Sequence, residues 1–530
     1  MSNYKYIKKQ NFSKNIPIFI IISLLCIIEI HADKIKEDNL ELIFVYQHVR
    51  HGARGPSSSY NSLFKNGIDE FKVSWKGEGD GELTLVGRRE HYDLGVRNRL
   101  KYGKWEGGLG LIDFSVYNPE EILFHVTDYN RTHQSLNSEL IGMYQPGIAK
   151  TLTEKQVDGS FPPNEEIWRK NYTISPYKEI LQEIDDLGNQ SVIDNIPIFN
   201  VHPFPANRTF NFESNCKNLD NLRKESLIGK DELLYGYFLE HKDELRTFFG
   251  FENDSYFTDI RMMNSITDHY ISDYKNYKDL SEFEQSTNIE LDVFMDKCGK
   301  FYHDWMYNYY CTNITCSMDS SRLMEDLLGY MKRRIQHQTE TTYKAPKMVI
   351  DCGHDTTVAP MQMFMYETWK DNPNFHVKTQ YCGFACNIYF ELYKDNSQND
   401  KYLVYYYIDD ERIDVFDYDE FDQTVRAHLY TQEDIIEHCL TEEDRQKRKE
   451  EEERRQKEEE GDTFIESLNK HTLLWIGLFS FAGTTLLSII AIIVLACKIH
   501  RIKHPKKRKM MNAKESELSS KFVTSSEVDP

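Results

Sequence analysis

The chain has 530 residues, a formal net charge of −21 and a hydrophobic content of 40%. It is too long for one small domain, and its apolar content suffices for a large core, which excludes a mainly disordered protein. With this acidic balance we expect no nucleic-acid partner.

The N-terminus has the pattern of a secretory signal peptide. Several lysines precede an apolar stretch at residues 16–28, and the small residue Ala32 follows. We therefore predict a signal peptide over residues 1–32. An uncleaved signal anchor is the alternative, although the stretch is shorter than the ~20 residues that a membrane span needs.

Short apolar runs end in clusters of polar residues at separate points of the chain. Runs this short, with β-branched and aromatic residues, are typical of buried strands. The runs and the polar residues that follow them are 42–49 with Arg50, His51 and Arg54, 121–128 with Arg131, and 347–352 with His354 and Asp355.

A helix is predicted between the first two strands. Thr84 is a candidate N-cap, Gly103 ends the segment, and Leu85, Arg89, Tyr92 and Val96 recur at helical spacing. Strand, loop, helix and strand in this order indicate an α/β fold with a central, mostly parallel sheet flanked by helices. In such sheets the carboxyl ends of neighbouring strands form one crevice, so the polar clusters are expected to meet there.

The remaining globular residues divide into an insertion and a hairpin. Residues 145–340 have helical patterning and few clear strands, which predicts a smaller, mainly helical cap domain inserted over the crevice. Residues 387–410 read as a β-hairpin around a polar turn. The globular domain is expected to span residues 33–440.

The C-terminal part has the composition of a membrane anchor. Residues 441–470, which are highly charged at their start, are predicted to form a stalk. Residues 471–497 contain an uncharged apolar stretch long enough to cross a bilayer and are predicted to form one transmembrane helix. The tail, residues 498–530, is basic at its start, which places it in the cytoplasm. We expect a single-pass type I membrane protein at the cell surface or in a lysosome or acidic vacuole, with the globular domain lumenal or extracellular.

Cysteines and sequons agree with that topology. Of the 10 cysteines, Cys26 and Cys497 lie in apolar segments, and an even number in an oxidising compartment indicates disulfides of undetermined connectivity. Zinc is the weaker alternative, because no matched cysteine pairs occur. Asn130 also begins a sequon, but we expect it to be buried in the crevice and not glycosylated. The predicted glycosylation sites are Asn171, Asn189, Asn207, Asn253 and Asn313.

The arginines point to a phosphoryl group as the ligand. Arg50, Arg54 and Arg131 would bring planar, permanently charged guanidiniums to one crevice, and such groups match phosphate oxygens bidentately. Structural salt bridges are the alternative for any single arginine. A metal held by His48, His51 and His354 is disfavoured, because adjacent guanidiniums repel a divalent cation.

These motifs resemble those of the histidine acid phosphatases, the second branch of the histidine phosphatase superfamily. "RHGARGP" at residues 50–56 resembles the family's RHGxRxP signature, and "GHDTT" at 353–357 resembles its HD-containing motif. "TDYNRTHQS" at 127–135 resembles the segment that supplies a third arginine. The resemblance covers roughly residues 40–440, in the family order.

The resemblance implies a role for each residue. His51 would be the nucleophile that becomes phosphohistidine, and Asp355 the proton donor to the leaving oxygen. A phosphate dianion facing Asp355 would raise the pKa of this carboxyl and favour acidic working pH. No metal or cofactor would be needed. The residues expected to hold the phosphate oxygens are Arg50, Arg54, Arg131 and His354.

The resemblance also limits the substrate and one disulfide. Thr356 and Thr357 after Asp355 are similar to the prostatic and lysosomal acid phosphatases, which implies broad specificity for phosphate monoesters. An inositol-phosphate phosphatase is the enzymatic alternative, and a phosphate-binding surface receptor without activity is the other. The family pattern suggests a disulfide between Cys216 and Cys439. We leave a homodimer open.

Overall fold

The computed structural model describes residues 39–57, 75, 81–105, 107–160, 169–170, 175, 177–192, 194, 196–204, 216–338, 345–398, 401–459, 494–496 and 498. The predicted signal peptide lies outside these ranges, and the predicted membrane span lies almost wholly outside them. In the part of the chain that is described, no helix has the length and apolarity that a bilayer crossing requires.

A seven-stranded sheet, in the order β3-β2-β4-β1-β5-β6-β7, forms the centre of residues 39–439. The pairs on the β3 side, up to β4–β1, are parallel, whereas β1–β5, β5–β6 and β6–β7 are antiparallel. The strands are β1 Leu40–Arg50, β2 Ile122–Val126, β3 Val201–Pro203, β4 Met348–Gly353, β5 Asn387–Asp395, β6 Tyr402–Ile408 and β7 Glu411–Asp417.

The prediction of a mostly parallel sheet was therefore wrong, because the sheet is mixed. The hairpin expected at residues 387–410 forms as β5 and β6, and it joins the sheet along the free edge of β1. A hairpin is antiparallel by construction, since its strands are joined by a short turn. The α/β class with flanking helices is confirmed.

The carboxyl ends of β1, β4 and β2 lie side by side. Arg50 is in register with Gly353, and Val126 with Cys352. The backbone N–H of His51 donates to the carbonyl of Gly353 at 2.9 Å, just beyond the last paired residues. The residues that follow these strands therefore emerge at one edge of the sheet, as the sequence indicated.

Helices cover both faces of this sheet. Phe44 and Tyr46 face one apolar cluster, and Val45 and Val49 face the other, as expected for the two-residue period of a strand. In chain order the helices are α1 Leu85–Tyr102, α2 Asn130–Met143, α3 Glu154–Asp158, α4 Tyr177–Asp185, α5 Leu219–Ser226, α6 Asp231–Glu240, α7 Lys242–Phe249, α8 Ile260–Lys275, α9 Ser281–Thr287, α10 Leu291–Trp305, α11 Asn313–His337, α12 Asp355–Trp369, α13 Tyr418–Ala427 and α14 Gln432–Cys439.

Helix α1 forms where predicted but buries an unexpected face. Thr84 caps it through a hydrogen bond from Gly87 N, whereas Leu85 is 75% exposed. A methyl group at Gly95 would collide with the carbonyl of Glu139 on α2, so the small residue permits close packing of the two helices. The buried residues of α1 are Gly87, His91, Gly95, Asn98 and Tyr102.

The predicted insertion over residues 145–340 contains a smaller cap. Its strand β3 pairs with β2 in the main sheet, and α11 packs on the main core through residues such as Leu327 and Met331. A separate apolar cluster lies between Leu234 and Phe301. We therefore use the name cap for residues 219–310 only.

A second unit comprises residues 440–530. Its described part is mainly one helix over residues 442–459, with charged pairs at helical spacing such as Lys447 with Glu443 and Arg448 with Glu452. The charged segment predicted as a stalk is thus helical as far as residue 459.

Candidate active site

His51 lies buried at the end of β1 with one ring nitrogen already engaged. Its Nδ1 is 2.9 Å from the carbonyl oxygen of Gly52, which can only accept a hydrogen bond. Nδ1 therefore carries the proton, and the lone pair of the neutral ring is on Nε2. A methyl group at Gly52 would strike the backbone of Gly87, so glycine is required where α1 meets this turn.

The surroundings of His51 oppose its protonation. Burial and the nearby positive charges of Arg50 and Arg131 lower the pKa of His51 well below its usual value, with His354 acting in the same direction. Because the neutral form of imidazole is the nucleophilic one, this environment keeps the ring reactive in acidic solution.

Arg50 is buried and Arg54 is half-buried, and each is paired with a carboxylate. Arg50 Nη2 is 2.6 Å from Asp355 Oδ2, and Arg50 Nη1 donates to the carbonyl of Cys382 at 2.7 Å. Arg54 makes a bidentate contact with Asp268 on α8, at 2.7 and 3.3 Å. Although burial opposes it, these carboxylates raise the pKa of both guanidiniums.

Arg131 and His354 contact each other at the ends of β2 and β4. Arg131 Nη2 is 3.3 Å from His354 Nδ1, and the guanidinium lies 4.6 Å from the centre of the Tyr129 ring. Burial and Arg54 lower the pKa of Arg131 to about 10. Burial and Arg131 lower the pKa of His354 to about 3, so this ring is neutral.

The second nitrogen of His354 contacts a hydroxyl group. His354 Nε2 is 2.9 Å from Thr127 Oγ1, the first residue after β2. The backbone N–H of His354 donates to Thr357 Oγ1 at 2.9 Å, at the N-terminus of α12. Both ring orientation and backbone are thereby fixed by threonines.

Asp355 begins α12 and its carboxylate is surrounded by donors. Oδ2 accepts from Arg50 and from the Tyr302 hydroxyl at 2.5 Å, and Oδ1 accepts from Thr356 N at 2.7 Å. Burial acts to raise the pKa of Asp355, but Arg50 and Tyr302 outweigh it and lower the pKa. The raised pKa was expected for Asp355 facing a phosphate dianion. Without a phosphate, the carboxyl faces cations and a hydroxyl, and its pKa is lowered.

These residues line one cavity of about 460 Å³ between the sheet edge and the cap. The structure brings the predicted residues together. Arg50 is paired with the lining residue Asp355, and the other predicted residues line the cavity themselves: His51, Arg54, Arg131, His354 and Asp355. The lining residues that the motifs did not indicate include Arg223, Arg261, Asp268, Tyr302, Trp305 and Tyr310.

The cap residues had no sequence signal beyond helical patterning. Asp268 is separated by more than 200 positions from its partner Arg54, and Tyr302 lies on another helix. Tyr129 lies two positions before Arg131, inside the motif at residues 127–135, and could have been found from that motif. Within the described ranges, no group of His, Cys, Asp or Glu is arranged to hold a metal ion, and the absence of a metal requirement stays a prediction.

A buried polar network supports the turn that carries His51. His91 Nε2 lies 3.0 Å from the carbonyl oxygen of Arg50, and His91 Nδ1 lies 3.0 Å from Glu139 Oε2. The other carboxylate oxygen accepts from Gln47 at 2.8 Å and from Asn98 at 3.0 Å. His91 and Glu139 are both fully buried.

Disulfides join Cys216 to Cys439, Cys311 to Cys316, and Cys382 to Cys386. The first is the pair expected from the family resemblance. Cys298 and Cys352 are buried thiols in the structure.

The sequons are placed variously. Asn171 and Asn207 lie outside the described residues, Asn189 and Asn253 are exposed, and Asn313 begins α11. Asn130 is exposed at the start of α2 and not buried as expected; its neighbours Tyr129 and Arg131 line the cavity, whereas Asn130 does not. Glycosylation at the predicted sites, and its absence at Asn130, stay predictions.

Comparisons with known proteins agree with the motifs. The chain is 35% identical to lysosomal acid phosphatase of Xenopus laevis over 126 residues, which is 24% of this chain and 26% of that protein. It is 32% identical to a putative acid phosphatase of Caenorhabditis elegans over 30% of this chain and 33% of that protein. These matches therefore span about a quarter and a third of the two relatives.

A longer match is weaker in identity. Human lysosomal acid phosphatase is 23% identical over 371 residues, which cover 69% of this chain and 70% of that protein. Among solved structures, the phytase of Citrobacter braakii superposes with a TM-score of 0.47 at 12% identity, covering 76% of this chain and 100% of that one.

The family model described as histidine phosphatase superfamily (branch 2) matches residues 41–409. This range includes all three motifs and every residue placed in the cavity, and it exceeds half of the chain. The chain therefore belongs to branch 2 of the histidine phosphatase superfamily.

Proposed function

We propose that the protein is an acid phosphatase that hydrolyses phosphate monoesters through a phosphohistidine at His51. The observation that supports this most is the state of that ring. Nδ1 of the ring donates to the carbonyl of Gly52, and the surroundings disfavour the protonated form of the ring. The ring also borders a cavity lined by guanidiniums. A neutral imidazole beside arginines can attack a phosphorus atom whose oxygens those arginines hold.

In the proposed first step, His51 Nε2 forms a bond to phosphorus while the bond to the ester oxygen breaks. Arg50, Arg54, Arg131 and His354 would hold the phosphoryl oxygens and stabilise the charge of the transition state. Asp355 would transfer its proton to the departing oxygen. In the second step water would attack the phosphohistidine and lose a proton to Asp355, the bond between phosphorus and His51 Nε2 would break, and inorganic phosphate would leave.

His354 needs the opposite tautomer to donate to a phosphoryl oxygen. Next to Arg131 its Nδ1 accepts, so the proton of the neutral ring is on Nε2, towards Thr127. The Thr127 hydroxyl can donate as well as accept. It can therefore satisfy Nε2 when the ring proton moves to Nδ1 and faces the substrate.

We propose broad specificity, as Thr356 and Thr357 after Asp355 imply by resemblance. One observation favours the alternative of an inositol-phosphate phosphatase. Arg223 and Arg261 on the cap also line the cavity, and Arg223 is held 5.2 and 5.1 Å from the rings of Tyr309 and Tyr310. Further cations at this position suit a substrate that carries additional phosphates.

The nucleophile is tested by His51→Ala. Acid-labile, base-stable labelling by a radioactive phosphomonoester, and turnover of every substrate, are expected to vanish. Label that persists in this variant would falsify the assignment of His51. A wild-type protein that binds phosphate tightly but turns over no monoester would instead support the receptor alternative.

The alternative substrate class is tested with Arg261→Gln, which changes an exposed cap residue at the cavity. Relative kcat/KM for inositol hexakisphosphate against glycerol phosphate should fall about tenfold if Arg261 binds a second phosphate. Arg246→Gln, on the cap but not among the residues lining the cavity, is the matched control. An unchanged ratio in Arg261→Gln supports broad specificity.

We also propose a lumenal or extracellular location with one C-terminal membrane span, ending in a lysosome or at the cell surface. The apolar stretch 471–497 and the name of the lysosomal relatives support it. Expression of a chain truncated near Gly461 should release active, glycosylated protein into the medium. Retention of that protein in the membrane after N-terminal processing would contradict the cleaved signal peptide.

A further inference from the structure

The cap places a tyrosine hydroxyl on the proposed proton donor. Tyr302, on α10, donates to Asp355 Oδ2 at 2.5 Å, and its ring lies 5.7 Å from the guanidinium carbon of Arg50. Tyr302 is only 7% exposed and lines the cavity. The other donors to the Asp355 carboxylate, Arg50 and the backbone N–H of Thr356, belong to the motifs at the edge of the sheet. Tyr302 comes from the cap, outside these motifs.

We propose that Tyr302 is a positioning residue for Asp355, and that its hydrogen bond confines the proton-donor form of Asp355 to acidic solution. This rests on the proposed function. A carboxylate accepts a hydrogen bond from a hydroxyl more strongly than the protonated acid does, so the contact favours the anion. The anion cannot protonate a leaving oxygen. Tyr302 therefore sets the upper pH limit of turnover.

The hydroxyl can act as a donor throughout the working range. Burial and the charge of Asp355 raise the pKa of Tyr302 well above its usual value, so it keeps its proton. Arg50 shares the same carboxylate oxygen, but it is also assigned to the phosphate. Tyr302 is the donor to Oδ2 that has no proposed contact with a phosphoryl oxygen.

Several other groups act on the same carboxylate. They set a background that a change at Tyr302 leaves in place, so the effect of its hydroxyl can be isolated. The cations that lower the pKa of Asp355 are Arg50 on β1 and Arg54 in the loop after it, and His354 before α12 acts in the same direction. His51, Arg131 on α2 and Asp268 on α8 line the same cavity, and Asp268 also acts on Tyr302. Burial, with Asp355 acting in the same direction, raises the pKa of the neighbouring tyrosines, which stay neutral; these are Tyr307 and Tyr310 on the cap and Tyr381 before β5.

The test is the pH dependence of kcat, which reports the enzyme–substrate complex. Tyr302→Phe removes the donor and keeps the ring. With glycerol phosphate, whose alkoxide needs a proton, the alkaline limb should move upward by about one pH unit, the equivalent of one charge-assisted hydrogen bond. With an aryl phosphate, whose phenolate leaves unaided, the limb should move far less.

A stronger donor should act in the opposite direction. A difluorinated tyrosine at position 302 keeps the geometry but has a more acidic hydroxyl, so the alkaline limb for glycerol phosphate should move downward. Opposite shifts from removing and strengthening one donor are not expected of a residue that only fills space. This second variant also serves if Tyr302→Phe does not fold.

Tyr307→Phe is the matched control. Burial raises the pKa of Tyr307, so this tyrosine is neutral, and its hydroxyl donates to Gln362 and to the carbonyl of Gln380 and not to Asp355. It should leave the alkaline limb in place. Wild-type turnover combined with an unmoved limb in both Tyr302 variants would overturn the inference and leave the proposed function standing. A wild-type protein without turnover on any monoester would overturn both.

Discussion

The network beneath the His51 turn makes a sharp prediction about Glu139. Both ring nitrogens of His91 lie beside oxygen atoms, so each of these two contacts needs one proton. Together His91 and Glu139 must therefore carry two protons. Glu139→Gln can satisfy every partner: its amide nitrogen donates to Nδ1 of a neutral His91, and its oxygen still accepts from Gln47 and Asn98. We expect a loss below about 1 kcal/mol in the free energy of unfolding.

Glu139→Met has nearly the same shape but no polar atom to offer. Asn98 keeps its contact with Gln47 Oε1 at 2.8 Å, whereas Gln47 Nε2 and His91 Nδ1 lose their partner in a fully buried site. Each unsatisfied buried group costs about 1–3 kcal/mol, so the variant should lose about 2–6 kcal/mol. Because His91 also holds the carbonyl of Arg50, kcat should fall with stability.

The measurement is denaturant unfolding with disulfides intact, monitored by tryptophan fluorescence, and Glu240→Gln on the exposed cap surface is the control. The control should stay within about 0.5 kcal/mol of the wild type. If Glu139→Gln loses as much as Glu139→Met, the site needs the carboxylate charge and the assigned hydrogen-bond pattern is wrong. If neither loses stability, the network does not support the fold.

Two further changes probe the cross-link and the third arginine. Cys439→Ser removes the disulfide with Cys216, which closes a loop of 223 positions, and should lower the free energy of unfolding by about 5 kcal/mol on the chain-entropy model. Cys311→Ser removes a disulfide between residues 5 positions apart and should lower it by about 2 kcal/mol in the same unfolding assay. Equal losses would show that loop length does not determine the effect. Arg131→Ala should lower kcat/KM for aryl and alkyl phosphates by similar factors, since it would hold oxygens that never depart; a selective loss on alkyl phosphates would assign it to the leaving group.

The strand ends were predictable because local sequence determines them. Short apolar runs with polar residues at their carboxyl ends indicate parallel strands, and β1, β2 and β4 are in register as that pattern implies. The placement of β5 against the other edge of β1 depends on contacts between residues more than 300 positions apart. No local pattern encodes which edge a hairpin will join.

Helix α1 shows where periodicity misleads. Its apolar residues at helical spacing are largely exposed, and its buried face carries His91 and Asn98. This face is recognisable only when its partners on α2 and β1 are known, because each polar group is buried by virtue of a specific hydrogen bond. Tyr302 and Asp268 were missed for the same reason, since their hydrogen-bond partners Asp355 and Arg54 are 53 and 214 positions away in the chain.

The position of β1 at the centre of the sheet has a consequence for biosynthesis. Residues 42–50 are buried on both faces, yet their parallel neighbour β4 is made about 300 residues later, which at ribosomal speeds of about 5–20 residues per second is a delay of roughly fifteen to sixty seconds. During that interval β1, which ends directly before His51, has no native partner in the sheet. Nascent chains that end before residue 348 should therefore depend on chaperones, and fragments lacking β4 should aggregate instead of folding.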